Sequence, residues 1–337
     1  MRVLVIGGNR FVGRLLGWRL LAAEHQVTLL NRGRLADPFG ARVERLTGDR
    51  TTADLDRLLA GRAFDAVVDL AAYAGEDGRR AAALLAGRTG HYVMVSTGQV
   101  YLVREGCPRP AREQDYDGPV MARPADPADV WDWEYGIGKR ACEDALAEAW
   151  SRSRFPATRV RIPMVNGERD YFRRMEAYLW RLLDGGPLIL PDGGGHRVRH
   201  VYAGEVARFL CDVLGRRETF GQAYNVAQEE SPTLAELAAR LRDLLGSRAE
   251  LVAVPSERLR AAGLDPAGVS PFSGRWMSFL DPSRARRELG FVHEPLEAYL
   301  GKIVASFLAH PPPDRPDAYA SRETERAAAA PGVGPTA

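Results

Sequence analysis

Short apolar, β-branched runs alternate with amphipathic helical stretches through the first half of this chain, and that alternation restricts the fold more than any other feature. The runs are Val3–Ile6, Gln26–Leu30, Val43–Leu46, Ala66–Leu70, Tyr92–Val95 and Thr158–Ile162; the stretches between them include Arg14–Ala23, Thr52–Leu59 and Arg79–Leu85. Strands and helices at this spacing predict an α/β fold, a doubly wound parallel sheet with helices on both faces. Ala66-Val67-Val68-Asp69-Leu70 is almost continuously apolar, as suits a parallel strand buried on both sides.

After Pro163 the texture changes. Glycine and proline crowd Gly185-Gly186-Pro187 and Pro191-Asp192-Gly193-Gly194-Gly195, and a strand-helix piece follows at Val198–Leu214. Thr233, with Glu236 three residues on, forms a capping box that opens a helix over Thr233–Leu244. The expected organisation is one domain from 1–163 and 198–227, with a smaller C-terminal lobe from 164–197 and 228–310 interleaved with it. The remaining 311–337, with Pro311-Pro312-Pro313 and Ala327–Ala330, read as a partly disordered tail.

Composition excludes several classes. Against 46 Lys and Arg stand 44 Asp and Glu, a formal charge of +2, which argues against a nucleic-acid partner or a membrane-coating role. No apolar run approaches the roughly 18 residues of a membrane span, and the apolar start Val3–Ile6 is too brief for a signal-peptide core. Cys107, Cys142 and Cys211 are odd in number and far apart, and read as reduced thiols of a cytoplasmic protein.

The first run ends in Gly7-Gly8-Asn9-Arg10-Phe11-Val12-Gly13 and leads straight into a helix. Glycines at such a turn let backbone approach a pyrophosphate, and the helix N-terminus offers free N–H groups to it, so the segment is a candidate dinucleotide site. An acidic residue at the end of the second strand would hold the ribose 2′-OH of NAD. Asn31 stands there, followed by Arg32, Gly33 and Arg34. With no carboxylate to repel a 2′-phosphate, and Arg10, Arg32 and Arg34 able to pair with one, NADP is favoured over NAD.

Tyr135 and Lys139 are four residues apart, on one face if the segment is helical. A free phenol is a poor base at neutral pH; a neighbouring ammonium favours the phenolate and makes it a proton acceptor for an alcohol or a donor to a carbonyl. Lysine is conspicuous here, because Lys139 and Lys302 are the only two in the chain. Ser96 and Thr97 close the fifth strand, where ligands of parallel sheets bind. Trp131 and Trp133 precede Tyr135 in an expected loop, either to stack on a substrate ring or to pack that loop. His196 and His200, expected on a strand, would share a face about 13 Å apart, too far to suggest a metal site.

Taken together, Gly7–Gly13, Ser96-Thr97 with Tyr101, and Tyr135 with Lys139 resemble the extended short-chain dehydrogenase/reductases, the NAD-dependent epimerase/dehydratase family. Gly48-Asp49, Asp69-Leu70-Ala71-Ala72, Arg161-Ile162-Pro163, His200-Val201 and Asp281-Pro282-Ser283 add to the likeness. The resemblance implies a Rossmann domain with a C-terminal substrate-binding lobe, and a homodimer. It implies Thr97, Tyr135 and Lys139 as catalytic residues, and Asp49 as the adenine contact. Leu70, Ala71, Ala72, Pro163 and Val165 join the cofactor set, and Thr97, Gln99, Trp133, Arg199 and Arg275 are substrate-binding candidates. The family's 4,6-dehydratases carry Asp-Glu after their Thr, and its decarboxylases carry that Glu; here the positions are Gly98 and Gln99. The resemblance therefore implies hydride chemistry alone, as an NAD(P)-dependent epimerase or oxidoreductase. Its site is a secondary alcohol or ketone of a sugar, nucleotide-sugar or nucleoside-like substrate. The alternative is a redox-inactive dinucleotide sensor or RNA-binding relative.

Overall fold

A computed structural model describes residues 1–330, which divide into two compact units. The first comprises Met1–Val165, Val201–Glu229 and Ser278–His293. Six of its strands are β1 (Arg2–Ile6), β2 (Gln26–Asn31), β3 (Val43–Thr47), β4 (Ala66–Asp69), β5 (Tyr92–Thr97) and β6 (Ala157–Ile162). With the strand Ala223–Asn225 they form a seven-stranded sheet in the order 223–225, β6, β5, β4, β1, β2, β3. Every pairing is parallel, with Ile6 opposite both Leu30 and Asp69, and Thr97 opposite Ile162. The carboxyl ends of the central strands therefore share one edge, which is where the sequence puts its candidate chemistry.

Side-chain alternation along the strands builds two cores. Val3, Val5, Val27 and Val93 face Leu16 and Leu20 of α1 (Phe11–Ala22) and Val206, Phe209 and Leu210 of the helix Ala203–Asp212. Leu4, Ile6, Tyr92 and Met94 face the other way, toward Leu55 of α2 (Asp54–Leu59) and Ala81 of α3 (Gly75–Leu85). The doubly wound parallel sheet is thus as expected. After the short α4 (Gln99–Leu102) comes α5 (Pro127–Ser153), 27 residues long and capped by the Asp126 carboxylate accepting from the Ala128 N–H. Trp131 and Trp133 lie in its first turns and not in a loop.

The second unit comprises Asn166–His200, Glu230–Met277 and the chain from Glu294. Its strands Leu188–Pro191 and Leu251–Val254 pair in parallel, and the expected helix Leu234–Leu244 starts at the Thr233–Glu236 capping box. Two expectations need correction. Residues 278–293 belong to the first unit, where Arg112 bonds Asp281 and Leu280 bridges Ala111. The stretch after residue 310 also holds a helix, Arg322–Ala329, whose Glu325 forms a fully buried ion pair with Arg181. The rest of the expected disordered tail, 331–337, lies outside the described residues. The histidines are not on a strand either. The nearest one covers only Val201–Tyr202; His196 bonds the Phe272 carbonyl and His200 bonds Asn166. Among the described residues no group of His, Cys, Asp and Glu is arranged to hold a metal, and no helix is long and apolar enough to cross a membrane.

Candidate active site

The glycine turn connects β1 to α1 with no room to spare. Gly7 sits at φ +88°, a left-handed conformation that glycine adopts without strain. A Cβ on Gly13 would lie 2.8 Å from the Gly8 Cα, and one on Gly8 would lie 2.9 Å from Leu29. The helix therefore begins directly against the turn. Its N-cap, Arg10, makes no side-chain capping bond, and no acidic residue occupies the first turn. Unblocked N–H groups at the positive end of a helix dipole, over a cradle that a side chain would fill, suit a pyrophosphate. The residues present thus fit a dinucleotide.

Asn31, half-buried at the end of β2, links both walls of this turn. Its Nδ2 donates to Asn9 Oδ1 at 3.0 Å, Asn9 Nδ2 donates to the Leu35 carbonyl at 2.8 Å, and Asn31 Oδ1 accepts from the Gly33 N–H at 2.9 Å. Arg10, Arg32 and Arg34 are exposed around it. Asp49 accepts from the N–H and hydroxyl of Thr51, which hold its carboxyl below the usual range, helped by the charges of Arg32 and Arg34. Its neighbour Arg50 has a purely internal role that the sequence did not reveal: it is buried against Asp69, with Nη1 2.5 Å from Oδ2. Asp69 also accepts from the Ala71 N–H at 2.8 Å, fixing Leu70-Ala71-Ala72 beside Gly7, whose added Cβ would meet Ala71 at 3.2 Å. Pro163 is buried and Val165 half-buried just past β6.

Strand alternation separates the two hydroxyls at the end of β5. Ser96 is buried and donates to Glu143, whose carboxylate is gripped by Arg161 at 2.6 Å. Burial alone would raise the Glu143 pKa; the guanidinium overrides it and holds the carboxyl below its usual range. Arg161 in turn donates to the Tyr101 hydroxyl at 2.6 Å, which donates to Asn225 at 2.9 Å. Ser96 is thus committed to the interior. Thr97 is half-buried and accepts from the Gln99 N–H at 3.2 Å, which leaves it as the hydroxyl at the strand end.

The glycines of Tyr135-Gly136-Ile137-Gly138-Lys139 explain how α5 reaches this edge. A Cβ on Gly136 would lie 2.6 Å from Val103 and 3.0 Å from the Gln99 carbonyl; one on Gly138 would collide with the Tyr73 carbonyl. Glycine lets the helix backbone lie against α4 on one side and the loop after β4 on the other. Lys139 is thereby buried, donating from Nζ to the Val95 carbonyl at 2.8 Å. The same ammonium lies 4.6 Å from the Tyr73 ring and 5.8 Å from the Tyr135 ring. Burial pushes its pKa below that of a free lysine, against the pull of nearby anionic groups.

Of two neighbours of Tyr135, Trp131 was expected either to stack on a substrate ring or to pack a loop, and Asp132 went unassigned in the sequence. Trp131 is 64% exposed and stacks on the Tyr135 ring, at 5.6 Å between centroids and 8° between planes. Asp132 accepts from Gln99 Nε2 at 2.7 Å, so a carboxylate does reach the Gln99 side chain, from α5. Trp133, an expected substrate contact, donates from Nε1 to the Met121 carbonyl at 3.1 Å and holds the loop before the helix. Arg199 and Arg275 belong to the second unit; Arg199 is flanked by buried Val198 and His200, and the Arg275 guanidinium lies 4.8 Å from the Trp276 ring.

A family model, "NAD dependent epimerase/dehydratase family", matches residues 3–227. The chain belongs to this family. It is an enzyme of the short-chain dehydrogenase/reductase type, and the dinucleotide that its turn fits is a nicotinamide dinucleotide. One relative is the 2'-dehydrokanamycin reductase of Streptomyces kanamyceticus, 29% identical over 288 residues, covering 83% of this chain and 77% of the relative. Another is the chloroplast stem-loop binding protein of 41 kDa b of Arabidopsis thaliana, 25% identical over 255 residues, with 70% and 61% covered. Among solved structures, the UDP-glucose 4-epimerase of Thermotoga maritima with UDP-glucose superposes with a TM-score of 0.71. It is 19% identical and the match covers 92% of this chain and 99% of that one. The Bordetella bronchiseptica enzyme WbmF, in complex with NAD+ and UDP, gives 0.65 at 21% identity, with 91% and 92% covered. These two likenesses bear out the expected Rossmann-type fold.

Proposed function

We propose that this enzyme is an NADP-dependent oxidoreductase that interconverts a secondary alcohol and a ketone on a sugar-like ring, without eliminating water or carbon dioxide. The observation that carries the reading is the anchoring of Lys139, one turn past Tyr135 on α5, on the carbonyl of Val95, two residues before Thr97 on β5. Tyr135 exchanges the hydroxyl proton, Thr97 hydrogen-bonds the reacting oxygen, and Lys139 sets the phenol's charge and holds the nicotinamide ribose. The bound nicotinamide supplies or accepts the hydride. Gly98 supports the exclusion of dehydration, because a Cβ there would collide with the Ser278 side chain and leave no space for an acid. Asn31 and the exposed Arg10, Arg32 and Arg34 favour NADP, with Gly7–Gly13, Asp49, Leu70–Ala72, Pro163 and Val165 completing the cofactor set. Gln99, Trp133, Arg199 and Arg275 stay as proposed substrate contacts.

The reductase among the relatives favours net oxidoreduction over epimerisation, with the ring borne by a sugar, a nucleotide-sugar or a nucleoside-like molecule. The proposal includes a cytoplasmic homodimer without a nucleic-acid partner, in keeping with a charge of only +2. The decisive experiment is to identify by mass spectrometry any nucleotide released on denaturation, and then to titrate the emptied protein with all four nicotinamide dinucleotides. Reversible NADPH binding, with turnover abolished in Tyr135→Phe, is the expected result. A retained stoichiometric cofactor would shift the reading to epimerisation. Binding of none, or a function untouched by Tyr135→Phe, would point to the redox-inactive sensor or RNA binder.

A further inference from the structure

Tryptophan is usually largely buried, and an indole held mostly in solvent on a rigid helix calls for a reason. Trp131 is 64% exposed although its residue lies inside the 27-residue α5. It stacks nearly coplanar with Tyr135, so one indole face is spent on that ring and the exposed area belongs to the other face and the edge. Tyr73, 53% exposed, also lies by Tyr135, with ring centroids 6.1 Å apart. Two rings open to solvent therefore flank Tyr135, the proposed acid/base. The next residue along the helix adds a polar edge. Asp132 is one turn before Tyr135 and so shares its face of α5, and it is joined to Gln99, two residues past Thr97.

We infer that Trp131 is a platform for the substrate, and that it takes a saccharide ring stacked by its C–H face while the Gln99–Asp132 pair bonds the ring's hydroxyl or amino edge. The inference rests on the reading of Tyr135 as the acid/base of a sugar-like ring and adds the residues that position that ring. A pyranose has an apolar face and a rim of hydrogen-bond donors and acceptors. An open indole beside an amide–carboxylate pair offers the complement of both. The Tyr135 ring is the indole's stacking partner, with 5.6 Å between centroids, so a saccharide held at Trp131 sits next to the proposed acid/base. Trp133, which is half-buried and donates its N–H to the Met121 carbonyl, offers less open indole surface. A flat nucleobase could also stack there but lacks the C–H face, and UMP in the test below separates the two.

The test reads occupancy of Trp131 separately from turnover. Acrylamide quenching of tryptophan fluorescence is measured on the full chain with kanamycin, UDP-glucose or UMP, in wild type and in Trp131→Phe. At least one of the two saccharides is expected to protect an exposed tryptophan that is absent from Trp131→Phe, and UMP to protect it less. Trp131→Ala should raise the KM for the protecting saccharide by about tenfold, and Trp131→Phe by no more than about threefold. Asp132→Asn should raise it again by several-fold. Failure of both saccharides to protect, equal protection by UMP, or an unchanged KM in Trp131→Ala would overturn the inference. Tyr135→Phe separates the two readings: it should lose turnover and keep the protection. Loss of turnover in that variant with no protection in any form would sink the platform alone.

Discussion

Replacing Gly138 by alanine tests whether the approach of α5 to the loop after β4 is what builds the site. In an exposed helix interior the change would stabilise by about 1 kcal/mol, because glycine loses more backbone freedom on folding. At Gly138 the new Cβ falls on the Tyr73 carbonyl, closer than the 3.0 Å that real Cβ atoms respect. A backbone carbonyl cannot swing aside as a side-chain tip can, so helix and loop must separate. Overpacking of this kind costs about 1–3 kcal/mol, which outweighs the propensity gain. Gly301, inside the helix Leu296–Ala309, is the matched control: a Cβ there meets nothing within 4 Å. Gly301→Ala should therefore stabilise by about 0.5–1 kcal/mol, leaving the overpacking cost, roughly 1–3 kcal/mol, between the two variants. Urea unfolding followed by fluorescence and circular dichroism measures both. Because the same separation moves Tyr135 and Lys139, Gly138→Ala should also lose about 100-fold in turnover, the usual consequence of an ångström of misplacement. Equal stabilisation by the two alanines, with turnover intact, would refute the argument.

Four further outcomes follow from single residues. Arg32→Ala should erode the preference for NADPH over NADH by about tenfold and leave NADH binding nearly unchanged, as read by fluorescence titration. His91 is buried with both ring nitrogens bonded, to Thr158 and to the Gly215 N–H, and burial lowers its pKa to about 4. Its stabilising contribution is complete above the unfolded value near 6.5 and is lost as pH falls toward 4, on the order of 3 kcal/mol; His91→Gln should flatten urea midpoints across that window. Removing the Glu143 carboxylate as Glu143→Ala strands Arg161 in the interior and should cost about 3–5 kcal/mol of unfolding free energy, whereas loss of the Thr97 hydroxyl should reduce turnover with little change in stability.

The pattern of agreement has a physical basis. Parallel strands buried on both faces announce themselves as apolar runs, and period two along β5 already implies that Ser96 and Thr97 face opposite ways. What the run could not say is which of them points inward, since that depends on Glu143 and Arg161, 47 residues and a strand away respectively. The start of α5 was missed for a local reason. Trp131-Asp132-Trp133-Glu134-Tyr135 alternates ring and carboxylate with period two, and Gly136 and Gly138 weaken the helical preference that follows. Those glycines gain their meaning only from Gln99 and Tyr73, which tertiary contact brings to within touching distance. Gly98 shows the same limit more sharply. In the sequence it is the absence of a carboxylate; in the fold, Ser278 from far along the chain occupies the space where any side chain would go. Excluding an acid there is therefore a property of two residues, and Gly98→Asp alone cannot restore one while Ser278 stays in place.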